Sequence, residues 1–165
     1  MIEIVPMQAH MRKPAARLAA RVFSYAAPYV RLSFWAQKNR EKPVVKLGLR
    51  LSSIADLLEQ WVAVNERGDV VGTIGLYTYK KDAHEAVWMA WFCVDPAARG
   101  QGIGKRLIAC ASEHARARGA RYFRLYTSTM PNEAAAQIVY EKHGFRLTHE
   151  KRRPFCKILY RELKL

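Results

Sequence analysis

The sequence predicts an α/β domain on a mixed sheet, and three observations predict it. Some segments repeat apolar residues at helical spacing, whereas others are continuous or alternating apolar runs. The two kinds of segment interleave along the chain instead of separating into halves. A glycine-rich stretch, "VDPAARGQGIGKRL" from Val94 to Leu107, joins an apolar run directly to an amphipathic one.

Taken in order, "IEIVPM" reads as a short first strand. "PAARLAARVFSY", from Pro14 to about Tyr25, reads as a helix with proline in its first turn. Lys38 to Lys46, "KNREKPVVK", is polar and reads as a loop. Ser52 and Ser53 can cap a short helix over "IADLLEQ". "WVAVNERGDVVGTIGLYTYK" reads as a hairpin that turns at Asn65–Asp69. "AVWMAWFCV" is so evenly apolar that it should be a strand covered on both faces. Ile103, Leu107, Cys110 and Ala111 share one helical face, and Gly119 ends that helix. "RYFRLYT" is a strand. Asn132 can cap a helix that runs to His143 and stops at Gly144, and "FRLTHE" and "FCKILYREL" close the sheet. There is no repeat, low-complexity tract or Gly/Ser linker, so residues 1–165 are expected to form a single domain.

Composition narrows the class of function. The chain carries 28 Lys and Arg against 14 Asp and Glu, a formal charge of +14, which favours anionic partners. The cations are spread from Arg12 to Lys164 without a long run, so no nucleic-acid partner is expected. No apolar run reaches the length of a membrane span, and the N-terminus lacks the pattern of a secretory signal, so no membrane partner is expected. Cys93, Cys110 and Cys156 are far apart and odd in number, the pattern of reduced thiols in a cytoplasmic protein. No Cys/His spacing suggests a metal.

Gly100, Gly102 and Gly104 weaken any regular element, and an anion-binding role explains them. A strand that runs through a glycine turn into a helix gathers unpaired backbone N–H groups and a partial positive charge in one place, which makes a phosphate site. Two nucleotide patterns fail. A P-loop would need glycine at Arg99 and Ser or Thr at Arg106, and a dinucleotide fingerprint would need glycine at Lys105.

The same stretch resembles motif A of the GCN5-related N-acetyltransferase (GNAT) superfamily, Arg/Gln-x-x-Gly-x-Gly/Ala, matched by Arg99, Gly102 and Gly104. "AAQIVYEKHGF", Ala135 to Phe145, resembles that family's motif B, in which a helical Tyr precedes x-x-x-Gly-Phe. The clear resemblance runs from Trp88 to Phe145. It implies a single-domain GNAT fold with a mixed, mostly antiparallel sheet and helices on both faces. It also implies an N-acetyltransferase with acetyl-CoA as co-substrate, moving an acetyl group directly to a primary amine of a small molecule or protein; homodimers are common among such enzymes. The pyrophosphate would then lie on the amides of Arg99, Gly100, Gln101, Gly102, Ile103, Gly104 and Lys105. The pantetheine arm would pair with the backbone of Phe92 and Val94 like an added strand.

Acetyl transfer needs a neutral amine, a donor to the thioester oxygen and an acid for the leaving thiolate. Motif B implies that acid is Tyr140. Tyr140 also shares a helical face with Ala136, Val139 and His143, so burial alone accounts for it too. Many relatives place a Glu where this chain has Trp88; Glu85, with His84 beside it, is the nearest carboxylate and the candidate base. Asn132 lies eight residues before Tyr140, one more than the common family spacing, and is a candidate for a coenzyme contact as well as a cap. Arg21 to Gln37 is rich in aromatics, which can wall an acceptor pocket or simply pack a helix pair. Two other readings stay open: an acyl-CoA sensor without activity and a basic nucleic-acid-binding module.

Overall fold

The computed structural model describes every residue from Met1 to Leu165. The strands are β1 (Glu3–Pro6), β2 (Ile54–Val64), β3 (Val70–Tyr79), β4 (Ala86–Val94), β5 (Tyr122–Ser128), β6 (Arg146–Arg152) and β7 (Lys157–Lys164). The helices are α1 (Arg12–Val22), α2 (Ala27–Lys38), α3 (Pro43–Leu51), α4 (Ile103–Ala117) and α5 (Ala134–Lys142). All seven strands form one sheet in the order β1-β2-β3-β4-β5-β7-β6. Only β4 and β5 run parallel; every other pair is antiparallel.

The alternation of side chains along the strands splits the core into two layers. Trp61 and Ala63 of β2 face α4 and its Leu107, Ile108 and Ala111. Val62, between them, faces the other way, against Leu18 of α1 and Val30 and Phe34 of α2. Helices therefore cover both faces, and β4 is apolar throughout because both of its faces are covered.

A bulge in β4 decides what the site can be. Thr73 pairs with Cys93 and Gly75 with Ala90, so Ile74 alone faces two residues, Trp91 and Phe92. Trp91 absorbs the extra residue with φ 47°, the one positive φ outside glycine. In a regular strand Trp91 would follow Val87 and Met89 onto the α4 face. The bulge gives that place to Phe92 and sends Trp91 to the α1 face, where it packs edge-on against Phe23.

The N-terminal third departs from the sequence reading. Ile54–Gln60 is the first half of β2, not a helix, and Pro43–Lys46 opens α3 rather than a loop. Ile54, Leu57, Leu58 and Trp61 mimic helical spacing because β2 is itself irregular, with register shifts between Ile54 and Asp56 and between Leu57 and Gln60. The second shift returns Leu58 and Trp61 to one face although they are three residues apart. Asn132 caps no helix: it lies in a 3₁₀ turn, Pro131–Glu133, and its Nδ2 donates to the Val22 carbonyl at 3.3 Å. The hairpin at Asn65–Asp69, α4, β5 and the glycine stops at Gly119 and Gly144 lie where the sequence put them.

Candidate active site

The parallel strands β4 and β5 are paired only over Ala86–Trp88 and Tyr122–Arg124. Past that point β5 stays with β7, and the edge of β4 is left facing a gap. Arg124 pins the closed end. Its guanidinium contacts Asp82 at 2.8 Å, Glu85 at 3.0 Å and Glu162 at 2.6 Å, and Asp82 also accepts from the Trp88 indole. Burial works against the charge of Arg124, but hydrogen bonds to Glu162, Asp82 and Glu85 outweigh it and hold its pKa above the ordinary value.

The gap is a cavity of about 480 Å³. Its walls include Phe23 and Tyr25 from the α1–α2 connection, Tyr77 and Tyr79 of β3, Trp91 and Phe92 of β4, and Tyr126 of β5. Two polar groups on it matter most. Gln60 lines it, and the buried Gln60 Oε1 has no hydrogen-bond partner. Glu133 is the sole carboxylate on the lining, and it is buried and saturated. It accepts from the Thr127 hydroxyl at 2.5 Å, the Ser128 amide at 2.9 Å, the Ser128 hydroxyl at 2.7 Å and the Tyr25 hydroxyl at 2.7 Å. Burial and the bond to Glu133 push the Tyr25 phenol up from its ordinary pKa.

Tyr140 reaches the cavity from α5, between Phe92 at 5.8 Å and Phe145 at 5.9 Å between ring centroids. Its hydroxyl has no partner within the protein, as the hydrogen bonds of α5 run elsewhere. Burial first, then Glu133 and Cys93, raise its pKa, so the phenol keeps its proton. Glu85 is not brought to this cavity. Its carboxylate is taken up by Arg124, and its carbonyl accepts from the amides of Arg121 and Tyr122, so it serves the closed end of the gap.

At the other end β4 runs into the glycine turn. The amides from Gly100 to Lys105 have no acceptor in the protein; pairing resumes at Arg106, whose amide donates to the Gly102 carbonyl. Six consecutive donors at the mouth of a fifteen-residue helix fit a diphosphate. Gly100 at φ 80° and Gly102 at φ 72° make this turn, in a region where a side chain is strained. Gly104 answers a different need: a Cβ there would sit 3.2 Å from Phe92 Cζ. Arg99 Nε donates to the Val94 carbonyl at 3.3 Å, which leaves that oxygen a second lone pair. Arg106 points away and binds the Ile2 carbonyl at 2.8 Å.

The family of the Acetyltransferase (GNAT) domain matches residues 57–147, more than half of the chain. The chain belongs to the GNAT acetyltransferases. It is an N-acetyltransferase, and acetyl-CoA is its co-substrate. No curated protein sequence matches this GNAT enzyme. Solved structures share its fold. A GNAT-family acetyltransferase from Desulfovibrio desulfuricans is 14% identical over 99% of each chain, with a TM-score of 0.76. A GNAT acetyltransferase from Elizabethkingia anophelis with acetyl-CoA bound is 17% identical over 99% of this chain and 98% of that one, TM-score 0.66. A streptothricin acetyltransferase from Bacillus anthracis in complex with acetyl coenzyme A is 24% identical over 67% of this chain and 64% of that one, TM-score 0.58.

Of the residues singled out from sequence, the fold gathers Phe92, Val94, Arg99 to Lys105 and Tyr140 around one groove, with Glu85 at its far end and Asn132 tied to α1. Sequence reading missed Gln60 and Glu133. Gln60 lay inside an expected helix, and Glu133 opened another as a single charged residue in its first turn. Neither carries a local signal, because their surroundings come from Tyr25, 108 residues from Glu133, and from the neighbouring strands.

Proposed function

We propose that this enzyme acetylates a single primary amine carried on an apolar or aromatic body. The lining of the cavity carries this reading: it is mostly apolar and rich in aromatic rings, and its one carboxylate, Glu133, already holds four donors. An acceptor with several ammonium groups would meet no free counter-charge there, in a chain already at +14. Gln60 Oε1 supplies one acceptor for an amine N–H.

Acetyl-CoA supplies the activated acetyl group as a thioester. The amides of Gly100 to Lys105 take its pyrophosphate, and Lys105 adds charge at the rim. The backbone of Phe92 and Val94 holds the extended arm on the bared edge of β4, and an N–H near Val94 donates to the carbonyl oxygen as charge develops there. Tyr140 gives its proton to the departing sulfur and regains one from water as the products leave, and the aromatic walls shield the thioester from hydrolysis. The saturated Glu133 and the ion-paired Glu85 leave no free carboxylate to act as base, so the amine enters neutral and its proton goes to water.

A thiol-release assay across an amine panel tests the reading. Arylalkylamines should exceed polyamines in kcat/KM by about 10²-fold, because buried unpaired charge is rejected strongly. Streptothricin belongs in the panel, since a neighbour at 25% identity, covering 64% of each chain, is a nourseothricin acetyltransferase. Preference for a polyamine or for streptothricin overturns the single-amine reading. The pH profile tests the missing base: kcat/KM should climb with pH toward the pKa of the free amine, about 10, and Glu85→Gln should leave that slope unchanged.

A further inference from the structure

Helices α2 and α3 carry apolar residues on two opposite faces. In α2, Val30 and Phe34 are buried, yet Tyr29, Leu32 and Trp35 are exposed at 70%, 59% and 46%. In α3 only Val45 is buried, while Val44, Leu47 and Leu51 are exposed at 62%, 55% and 82%. One face of each helix packs on the fold, and nothing in the fold covers the other. Tyr25, four residues before Tyr29, is exposed at 59% and also lines the cavity.

The segment of chain that carries these stripes is rich in cations. Residues 12–51 hold ten Lys and Arg and one Asp or Glu; the rest of the chain holds eighteen and thirteen. On α2 and α3 and between them, Arg31, Lys38, Lys42 and Arg50 are all exposed and pair with no carboxylate, and the one acid, Glu41, is taken by Arg40 and Lys46. A second copy on this face would bring two strongly cationic surfaces together. Nucleic acid would engage the cations and leave Val44, Leu47 and Leu51 in water. An anionic bilayer satisfies both halves of the pattern: apolar side chains enter the acyl boundary while Lys and Arg stay among the headgroups.

We propose that the exposed apolar faces of α2 and α3 dock this enzyme on an anionic lipid surface. No helix of the chain is long and apolar enough to cross a membrane, so the contact lies in the plane of the interface. It does not depend on which amine the enzyme acetylates.

Cosedimentation of the full chain with vesicles tests the proposal. Vesicles of about two parts phosphatidylcholine to one part phosphatidylglycerol should bind it at least about tenfold more tightly than phosphatidylcholine alone. Sodium chloride at about 0.5 M should release it, since screening then acts within a few ångströms. Leu47→Asp with Leu51→Asp should weaken binding by about tenfold or more. Acetyl transfer to a soluble amine and the circular dichroism spectrum should not change, because both side chains are exposed and neither lines the cavity. Lys42→Glu with Arg50→Glu keeps the apolar stripe and should weaken binding by about tenfold or more as well. Absent binding to anionic vesicles, equal binding to both kinds, or undiminished binding by either variant overturns the proposal. So does a dimer by light scattering that Leu47→Asp dissolves, or salt-sensitive binding to duplex DNA without binding to vesicles.

Discussion

Tyr140 has a free hydroxyl, an aromatic cage and a proton it keeps, which is what protonation of a departing thiolate asks of a side chain. Tyr140→Phe preserves the ring packing and removes only the proton. It should lower kcat by about 10²-fold with little change in acetyl-CoA affinity; the check is steady-state kinetics beside calorimetry of coenzyme binding. Because the pKa of Tyr140 lies above the usual phenol value, the acid form persists across the working range, and no loss of activity from its ionisation should appear below about pH 10. Tyr140 was readable because a local motif carries it. Glu133 was not, since its meaning depends on three hydroxyls and an amide that only the folded chain assembles.

At the scale of elements, the strand–turn–helix unit from β4 to α4 combines binding with packing. Gly102→Asp places a carboxylate where six bare donors await an anion and strains a residue at φ 72°. Calorimetry should detect no acetyl-CoA binding, while the fold loses about 1–2 kcal/mol from the forced left-handed conformation. The helix itself is held by packing. Leu107 is fully buried, and its Cδ1 lies 3.0 Å from where a Cβ on Gly72 would stand. Leu107→Ala should cost about 3 kcal/mol in urea unfolding. The period of α4 made it legible from sequence. That of β2 was not, because two register shifts place its apolar residues at helical intervals.

Across the whole molecule, the site exists because the sheet parts in one place and is pinned in another. Arg124 with Asp82, Glu85 and Glu162 holds β4 and β5 together at one end. Arg124→Leu leaves three carboxylates crowded at a mostly buried position and should destabilise the fold by about 3 kcal/mol at neutral pH. The raised pKa of Arg124 means its charge contributes at every pH below its ordinary value. Urea unfolding of variant and wild type at neutral pH measures that loss.

The sequence by itself determined the glycine turn and the helices beside it: the three glycines, the helix they open, the place of Tyr140 on α5 and the glycine stops of α4 and α5. Those features are local, set by backbone conformation and short-range periodicity, and so they survive being read in one dimension. The tertiary structure alone decided the cavity. The gap between β4 and β5, the turning of Trp91 by a bulge, the capture of Glu85 by Arg124 and the burial of Glu133 all arise from contacts between residues far apart in the chain. Pairing and packing across such distances are energies of the assembled sheet, and no segment carries them alone.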